Sequence, residues 1–216
     1  MKRDFWLQKW EEGDIPFHQQ DVNTDLIQYF SQLDLRKGEH ILVPLCGKSV
    51  DLIWFAKQGL SVIGVELSPI ACHDFFSEWG VEPIVTNHGS FTIYEYNHIK
   101  IFCGDFFELS TDSLPSIKGV YDCKALIALP PDVRQRYVKH LIACVGEHVK
   151  ILLITLDTHD TVKSPPFPIN QAEINMLYGG CFNIQRLKQE TTRALSDNLI
   201  QKGFTEIMET IYLIKK

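Results

Sequence analysis

The sequence predicts an α/β fold in which a mostly parallel sheet of seven strands carries helices on both faces. Short apolar runs rich in β-branched residues at 40–45 and 61–65 are typical of buried parallel strands. Between them, residues 50–58 have the pattern of an amphipathic helix. Strand-like runs near 182–190 and 205–214 predict a closing antiparallel pair.

The first strand, helix and second strand have the arrangement of a nucleotide site. Gly47 stands in the tight turn after the first strand, and Glu66 stands at the end of the second. In such units the ligand lies across the strand ends near the helix N-terminus, and an acid binds the two ribose hydroxyls. The other interpretation is that Glu66 is an ordinary surface residue at a strand end.

The turn indicates which nucleotide is expected. A dinucleotide pyrophosphate requires several spaced glycines, whereas this turn contains Gly47 alone. A phosphate-binding Walker loop is also absent, because Leu42 stands where its first glycine belongs. A ligand with a ribose and no phosphate fits better, and S-adenosylmethionine is the common one.

Composition and charge favour one domain that spans residues 1–216. The chain has 216 residues, 45% hydrophobic residues and 22% charged residues, as is usual for a globular α/β domain. Its net charge is −6, and the longest basic run is Lys215-Lys216. We therefore expect neither nucleic acid nor an anionic membrane surface as a partner.

The termini and cysteines favour a cytoplasmic protein, which we expect to be a monomer. The N-terminal stretch carries charges throughout and lacks the apolar core of a signal peptide. The six cysteines form no CxxC pair and no metal-ligand spacing. Reduced thiols and no bound metal are the expected reading.

Several motifs resemble those of the thiopurine S-methyltransferase family. Residues 43–51 and 64–68 are similar to the first two motifs of that family, and the Leu-Cys-Gly-Lys-Ser turn is unusual among methyltransferases. The matching segments run in family order and comprise Phe5, Trp6, Trp10, Phe17 and His18, then residues 104–107, 125–130 and 165–167. The C-terminal part of the chain matches only loosely.

The resemblance implies a class I S-adenosylmethionine-dependent methyltransferase fold and methyl transfer to the sulfur of small heteroaromatic thiols such as thiopurines. Selenium and tellurium species are further acceptors that it suggests. Residues 1–35 would form an N-terminal helical lid segment. Together with the strand-end geometry, the resemblance assigns the cofactor site to Trp10, Leu45, Gly47, Glu66, Asp105, Phe106 and Cys123, and the substrate pocket to Phe17, Lys124, Pro166 and Phe167.

Two of these assignments compete with simpler interpretations. Trp10 would cover the cofactor and Phe17 would help to wall the pocket, or both aromatics pack an N-terminal helix on the domain. Asp105 would face the adenine amino group, with Phe106 against the ring, or Asp105 caps the next turn.

The end of the fourth strand carries a departure from the family pattern. Residues 122–124 follow the strand at 117–121 and should line the ligand crevice. The family usually has an arginine where Cys123 stands, and that residue lies by the cofactor and substrate. Lys124 cannot be assumed to replace it, because adjacent side chains on a strand point to opposite faces.

The proline-rich loop at 157–168 follows the fifth strand. By resemblance it folds over the small-molecule pocket with Pro166 and Phe167. Residues 164–167 superficially resemble the tetrapeptide of amino-group DNA methyltransferases, but that motif belongs after the fourth strand. This position argues against a nucleic-acid substrate.

The sequence shows no catalytic set such as a Ser/His/Asp triad. An ionised heteroaromatic thiol is already a good nucleophile, so the protein mainly has to position two sulfurs and exclude water. His18, Asp14 and Lys124 are candidate proton handlers or ordinary surface and capping residues. The alternatives are a non-catalytic S-adenosylmethionine-binding protein, which Cys123 keeps open, and an NAD-dependent oxidoreductase, which the single glycine disfavours.

Overall fold

A computed structural model of the protein describes residues 3–216, which group into two compact units divided between Tyr121 and Asp122. Residues 1 and 2 of the expected N-terminal lid segment lie outside the described residues. Each unit is described by itself below.

The first unit is a helix-flanked sheet with strand order β3-β4-β5-β2-β1-β6. Strands β5, β2, β1 and β6 are parallel neighbours, and β3, β4 and β5 form an antiparallel meander. Its helices are α1 (Arg3–Glu11), α2 (Thr24–Tyr29), α3 (Asp51–Lys57) and α4 (Pro69–Trp79). Its strands are β1 (His40–Pro44), β2 (Ser61–Glu66), β3 (Ile84–His88), β4 (Phe91–Tyr96), β5 (Ile99–Cys103) and β6 (Ile117–Cys123), of which the last two residues belong to the second unit.

The predicted strand, helix and second strand are confirmed. Leu42 of β1 pairs with Ile63 of β2, and both side chains are buried. Helix α3 buries Leu52 and Phe55 completely. Because β1 and β2 run parallel, their carboxyl ends lie side by side at one edge of the sheet, where the turn and Glu66 were predicted.

Local sequence signals account for both limits of α4. The Ser68 hydroxyl accepts a hydrogen bond from the amide of Ala71 at 3.3 Å, and Pro69 occupies the first turn. Gly80 ends the helix in a left-handed conformation with φ of 75°, which glycine adopts without strain.

Residues 22–33 carry an amphipathic pattern, but they do not form one continuous helix. The Asn23 side chain accepts hydrogen bonds from the amides of Asp25 and Leu26, so the helix begins only at Thr24. It ends at Tyr29 and continues as a 3₁₀ turn over Phe30–Leu33. Ile27 is 53% exposed, although it belongs to the apolar pattern of the segment.

The second unit begins within the end of β6 and contains an antiparallel sheet of strand order β7-β9-β8. The predicted C-terminal antiparallel pair is confirmed as β8 and β9, and β9 also pairs antiparallel with β7. The helices are α5 (Ala125–Ala128), α6 (Pro131–Val145), α7 (Gln171–Tyr178) and α8 (Asp197–Gln201), and the strands are β7 (Lys150–Asp157), β8 (Asn183–Thr192) and β9 (Ile207–Lys215).

The α/β class and the mostly parallel arrangement agree with the prediction, but the strand count does not. The described residues form nine strands instead of seven. The two additional strands are β3 and β4. All five side chains of β3 are exposed, and its two apolar residues, Ile84 and Val85, are adjacent, so the segment shows no alternation. No helix of residues 3–216 is long and apolar enough to cross a bilayer.

Asp122 was expected to line the ligand crevice, and the structure places it in the core instead. Its side chain is fully buried, with Oδ2 accepting from the Tyr137 hydroxyl at 2.7 Å and Oδ1 from the Leu126 amide at 3.2 Å. Burial raises the pKa of this carboxyl to about 6, against the opposing effect of these hydrogen bonds. Asp122 is thus a cap of α5.

Asp122 should make the stability of the protein depend on pH. Its native pKa lies above that of an unfolded aspartate, so the folded state binds the proton more tightly. The free energy of unfolding therefore decreases as the pH rises from about 4 to about 6. Asp122→Asn abolishes the titration. We expect the stability of the variant relative to wild type to rise across that window by up to about 3 kcal/mol, measured by urea denaturation.

The exposed Asp112 provides the control, since Asp112→Asn should follow the wild-type pH profile. If Asp122→Asn also parallels wild type at every pH, the Asp122 carboxyl does not titrate in this range.

Candidate functional site

The turn after β1 contains a strained residue. Leu45 has a φ of 50° and Gly47 has a φ of 54°, so both adopt the left-handed conformation. For a leucine this conformation costs about 1–2 kcal/mol. Strain of this kind persists where the surrounding structure enforces it, and it is concentrated at ligand sites. The predicted residues Leu45 and Gly47 therefore shape the end of β1 together.

Glu66 holds this turn from the neighbouring strand. Its carboxylate is 7% exposed and accepts hydrogen bonds from the Gly47 amide at 2.8 Å and the Ser68 amide at 2.8 Å. Burial raises the pKa of Glu66, and the backbone hydrogen bonds oppose that shift. Each oxygen has a second lone pair, so the carboxylate can still accept two hydroxyl groups. Glu66 is therefore a buried residue that binds the turn, which argues against the surface interpretation.

The N-terminal helix brings Trp10 onto the same turn. Trp10 is 6% exposed, and a Cβ atom added to Gly47 would lie 3.3 Å from its indole Cζ2. Phe17 packs edge-on against Trp10 and Trp6, with ring centroids 5.8 and 5.4 Å apart. The arrangement places an aromatic cover over Gly47, as a lid would require, while Phe17 itself stays 47% exposed.

Asp105 and Phe106 lie just after the end of β5. The amide of Gly104 donates to the carbonyl of Glu66 at 2.8 Å, which brings this segment to the end of β2. The Asp105 carboxylate accepts from the Phe107 amide at 3.0 Å, so Asp105 caps a 3₁₀ turn. Phe106 is buried. The capping interpretation of Asp105 is thus seen directly.

Lys48 contributes an ion pair that the sequence did not reveal. Its buried Nζ lies 2.6 Å from Glu78 Oε1 and 3.7 Å from Asp74 Oδ2 on α4. The pKa of the nearby His18 is lowered, first by burial and then by the Lys48 charge. The Walker-like Gly-Lys-Ser sequence therefore ties the turn to α4, as an internal contact of the first unit.

In the second unit, Cys123 and Lys124 lie at the end of β6. Cys123 is half-buried, and Lys124 has a left-handed backbone with φ of 65°. The Lys124 amide donates to the Ile154 carbonyl at 3.0 Å, and its Nζ lies 3.1 Å from Glu209 Oε2. This pairing makes Lys124 a weak candidate for a proton handler.

Pro166 and Phe167 are brought against α5, which directly follows Lys124. The Phe167 amide donates to the Ile127 carbonyl at 2.7 Å, and both predicted pocket residues are half-buried. The second unit thus brings the proline-rich loop against the short helix that follows Cys123 and Lys124.

Other candidates have simple structural roles or no support. Asp14 pairs with Lys9 on the N-terminal helix. Among residues 3–216, no group of three or more His, Cys, Asp or Glu side chains is arranged to hold a metal ion. Arg134, which contacts the Phe167 carbonyl, was not anticipated at all.

Sequence comparison covers the whole chain. The family model described as "Thiopurine S-methyltransferase (TPMT)" matches residues 1–216. A thiopurine S-methyltransferase of Nitrosospira multiformis is 39% identical over 215 residues, which are 99% of this chain and 98% of the relative. The enzyme of the same name from Pseudomonas syringae pv. pisi is 40% identical over 217 residues and 100% of both chains.

Solved structures of low sequence identity share the fold. A SAM-dependent methyltransferase of Anabaena variabilis has a TM-score of 0.67 at 14% identity and covers 99% of this chain and 94% of its own. The 1,6-didemethyltoxoflavin-N1-methyltransferase of Burkholderia thailandensis, solved with 1,6-didemethyltoxoflavin and S-adenosylhomocysteine, has a TM-score of 0.65 at 13% identity and covers 99% of this chain and 87% of its own.

These similarities agree with the motif-based prediction and leave the oxidoreductase alternative without support. With a family match over the full chain and relatives about 40% identical, the chain belongs to the thiopurine S-methyltransferase family of S-adenosylmethionine-dependent enzymes.

Proposed function

We propose that this protein transfers the methyl group of S-adenosylmethionine to the sulfur of small heteroaromatic thiols such as thiopurines. The observation that carries the proposal is the buried Glu66 carboxylate at the parallel strand ends, in a chain that matches the family throughout. The proposed unit of function is a single domain of residues 1–216, acting as a cytoplasmic monomer without a nucleic-acid partner.

The first unit offers features that fit the cofactor. Glu66 has acceptor capacity for the two ribose hydroxyls beyond the bonds it makes to Gly47 and Ser68. Trp10 supplies an aromatic surface over the turn. Asp105 and Phe106 provide a carboxylate and an apolar ring for an adenine. The strained turn at Leu45 allows the backbone to approach the ligand closely.

The chemistry asks little of acid or base groups. The sulfonium cofactor supplies an electrophilic methyl group, and the acceptor thiolate is the nucleophile. The task of this chain is then to bind both molecules, orient them and exclude water. The cover formed by Trp10 and Phe17 suits the exclusion of water, and the absence of a catalytic triad is consistent with this division of labour.

The family resemblance assigns to the acceptor Phe17 of the first unit and Lys124, Pro166 and Phe167 of the second. Aromatic and proline side chains suit a flat heterocycle. Cys123 is a soft, polarisable neighbour, so selenium and tellurium species belong among the acceptors to be tested.

The first test is methyl transfer from labelled S-adenosylmethionine to a panel of thiopurines, small aliphatic thiols and selenite. Labelled S-methylated thiopurine is the expected product. Binding of the cofactor without transfer to any acceptor of the panel would overturn the proposal. It would favour the second candidate, a protein that binds the cofactor without using it, to which Cys123 in place of the family arginine points.

Glu66→Ala should weaken the binding of S-adenosylmethionine. The loss of a hydrogen bond to a charged acceptor costs about 1–3 kcal/mol, which corresponds to a rise in Kd of roughly 5- to 150-fold. Isothermal titration calorimetry on the folded variant measures this change.

Glu95→Ala is the matched control, because Glu95 is a partly exposed glutamate of β4 that pairs with Lys100. Its Kd should equal that of wild type. An unchanged Kd in Glu66→Ala, with an intact thermal transition, would remove Glu66 from the ribose.

Cys123→Arg should raise the turnover of thiopurines. The substitution provides a fixed cation and a bidentate hydrogen-bond donor at the end of β6, which cysteine lacks. Steady-state kinetics with a thiopurine measures the effect, and Cys181→Arg at an exposed cysteine provides the control. A fall in turnover would mean that the pocket is built around the cysteine.

A further inference from the structure

We infer that Arg134 is a positioning residue that fixes the acceptor side of the site by clamping two segments of the second unit. The segments are the end of α5 and the proline segment, defined here as residues 165–168. The inference rests on the proposed function only in taking Phe167 as part of the acceptor pocket.

Arg134 is a fully buried cation on α6 whose three nitrogens all donate hydrogen bonds. Its relative exposure is 0%, which is rare for an arginine without a partner. Nε donates to the carbonyls of Leu126 at 3.3 Å and Leu129 at 3.1 Å. Nη2 donates to the carbonyls of Phe167 at 2.7 Å and Pro168 at 3.1 Å.

The charge of Arg134 is balanced by Glu173 on α7. Nη1 lies 3.0 Å from each oxygen of the Glu173 carboxylate and also donates to the Pro168 carbonyl at 3.1 Å. Burying a guanidinium is costly unless it is paired and its donors are satisfied. Both conditions hold here, so the orientation of the guanidinium is fixed from several sides.

The proline segment needs anchors of this kind. Three of its four residues are prolines, which have no backbone N–H to donate. The one remaining donor, the Phe167 amide, is used on the Ile127 carbonyl of α5. The position of the proline segment therefore depends mainly on side chains that donate to its carbonyls. Arg134 donates to two successive ones, those of Phe167 and Pro168.

Flanking contacts complete the anchoring. The Lys202 Nζ donates to the Pro165 carbonyl at 2.7 Å, and the Ile169 amide donates to the Leu156 carbonyl of β7 at 2.9 Å. With anchors before, within and after it, the backbone of the proline segment is fixed at several points, and with it the position of Phe167. Arg134 also holds the end of α5, whose start directly follows Cys123 and Lys124.

Only an arginine suits this geometry. Its planar guanidinium offers five donors in a fixed fork, whereas lysine offers three donors at one point. Lysine keeps the charge for Glu173 but cannot serve α5 and the proline segment at once. Arg134→Lys thus separates the clamp from the ion pair.

The test compares acceptor kinetics with cofactor binding in Arg134→Lys. We expect KM for the thiopurine to rise by about tenfold, the scale of one or two lost hydrogen bonds. The Kd for S-adenosylmethionine, measured by calorimetry, should stay within about twofold of wild type, because none of the hydrogen bonds of Arg134 goes to a residue assigned to the cofactor. Hydrogen exchange at the Phe167 amide should become faster.

Arg136→Lys is the matched control, since Arg136 is an exposed arginine of the same helix and should behave as wild type. Glu173→Gln is the second variant, to be used if Arg134→Lys shows no cooperative unfolding. It retains an acceptor for Nη1 while removing the charge. We expect a smaller rise in KM for the thiopurine and again an unchanged Kd for S-adenosylmethionine.

The outcomes distinguish the two proposals. If wild type methylates thiopurines and both variants keep the wild-type KM, with lower thermal stability alone, Arg134 is purely structural and the inference is overturned. If wild type methylates no acceptor, the proposed function fails, and the positioning role fails with it.

Discussion

The first unit depends on the hydrogen bonds of the buried Glu66 carboxylate at the carboxyl ends of its parallel strands. One buried group binds the amide of Gly47 after β1 and the amide of Ser68 before α4, while the Glu66 carbonyl accepts from Gly104 after β5. Three parallel strands thus end at a common point through one residue. Backbone donors replace water around the buried carboxylate, so the protein itself holds these strand ends in place.

Buried ionisable groups have a comparable organising role in the second unit. Helix α5 has only four residues, too few to be stable by itself. Asp122 accepts from its amide at Leu126, and Arg134 donates to the carbonyl at its other end, Leu129. The geometry of this short helix is therefore dictated by tertiary contacts. The conformation of residues 123–129 therefore depends on the hydrogen bonds of Asp122 and Arg134.

The sequence was informative where a local rule is strong. The strand, turn and helix around Gly47 follow from apolar runs, and α4 follows from a capping serine and a left-handed Gly80. The hairpin strand β3 has exposed side chains on both faces, so no period marks it. Arg134 gave no signal either, because carbonyls brought together by the fold define its role, and a lone arginine in a helix reads as a surface residue.

The contact between Trp10 and Gly47 links two positions that are far apart in the sequence. A Cβ atom at position 47 would lie 3.3 Å from the indole, and the φ of 54° already disfavours most side chains. Asparagine tolerates that backbone but would push its side chain into the ring. The size of residue 10 and the size of residue 47 are therefore not independent. Across related sequences, a larger residue at position 47 should occur together with a smaller residue at position 10, so that the two positions change together.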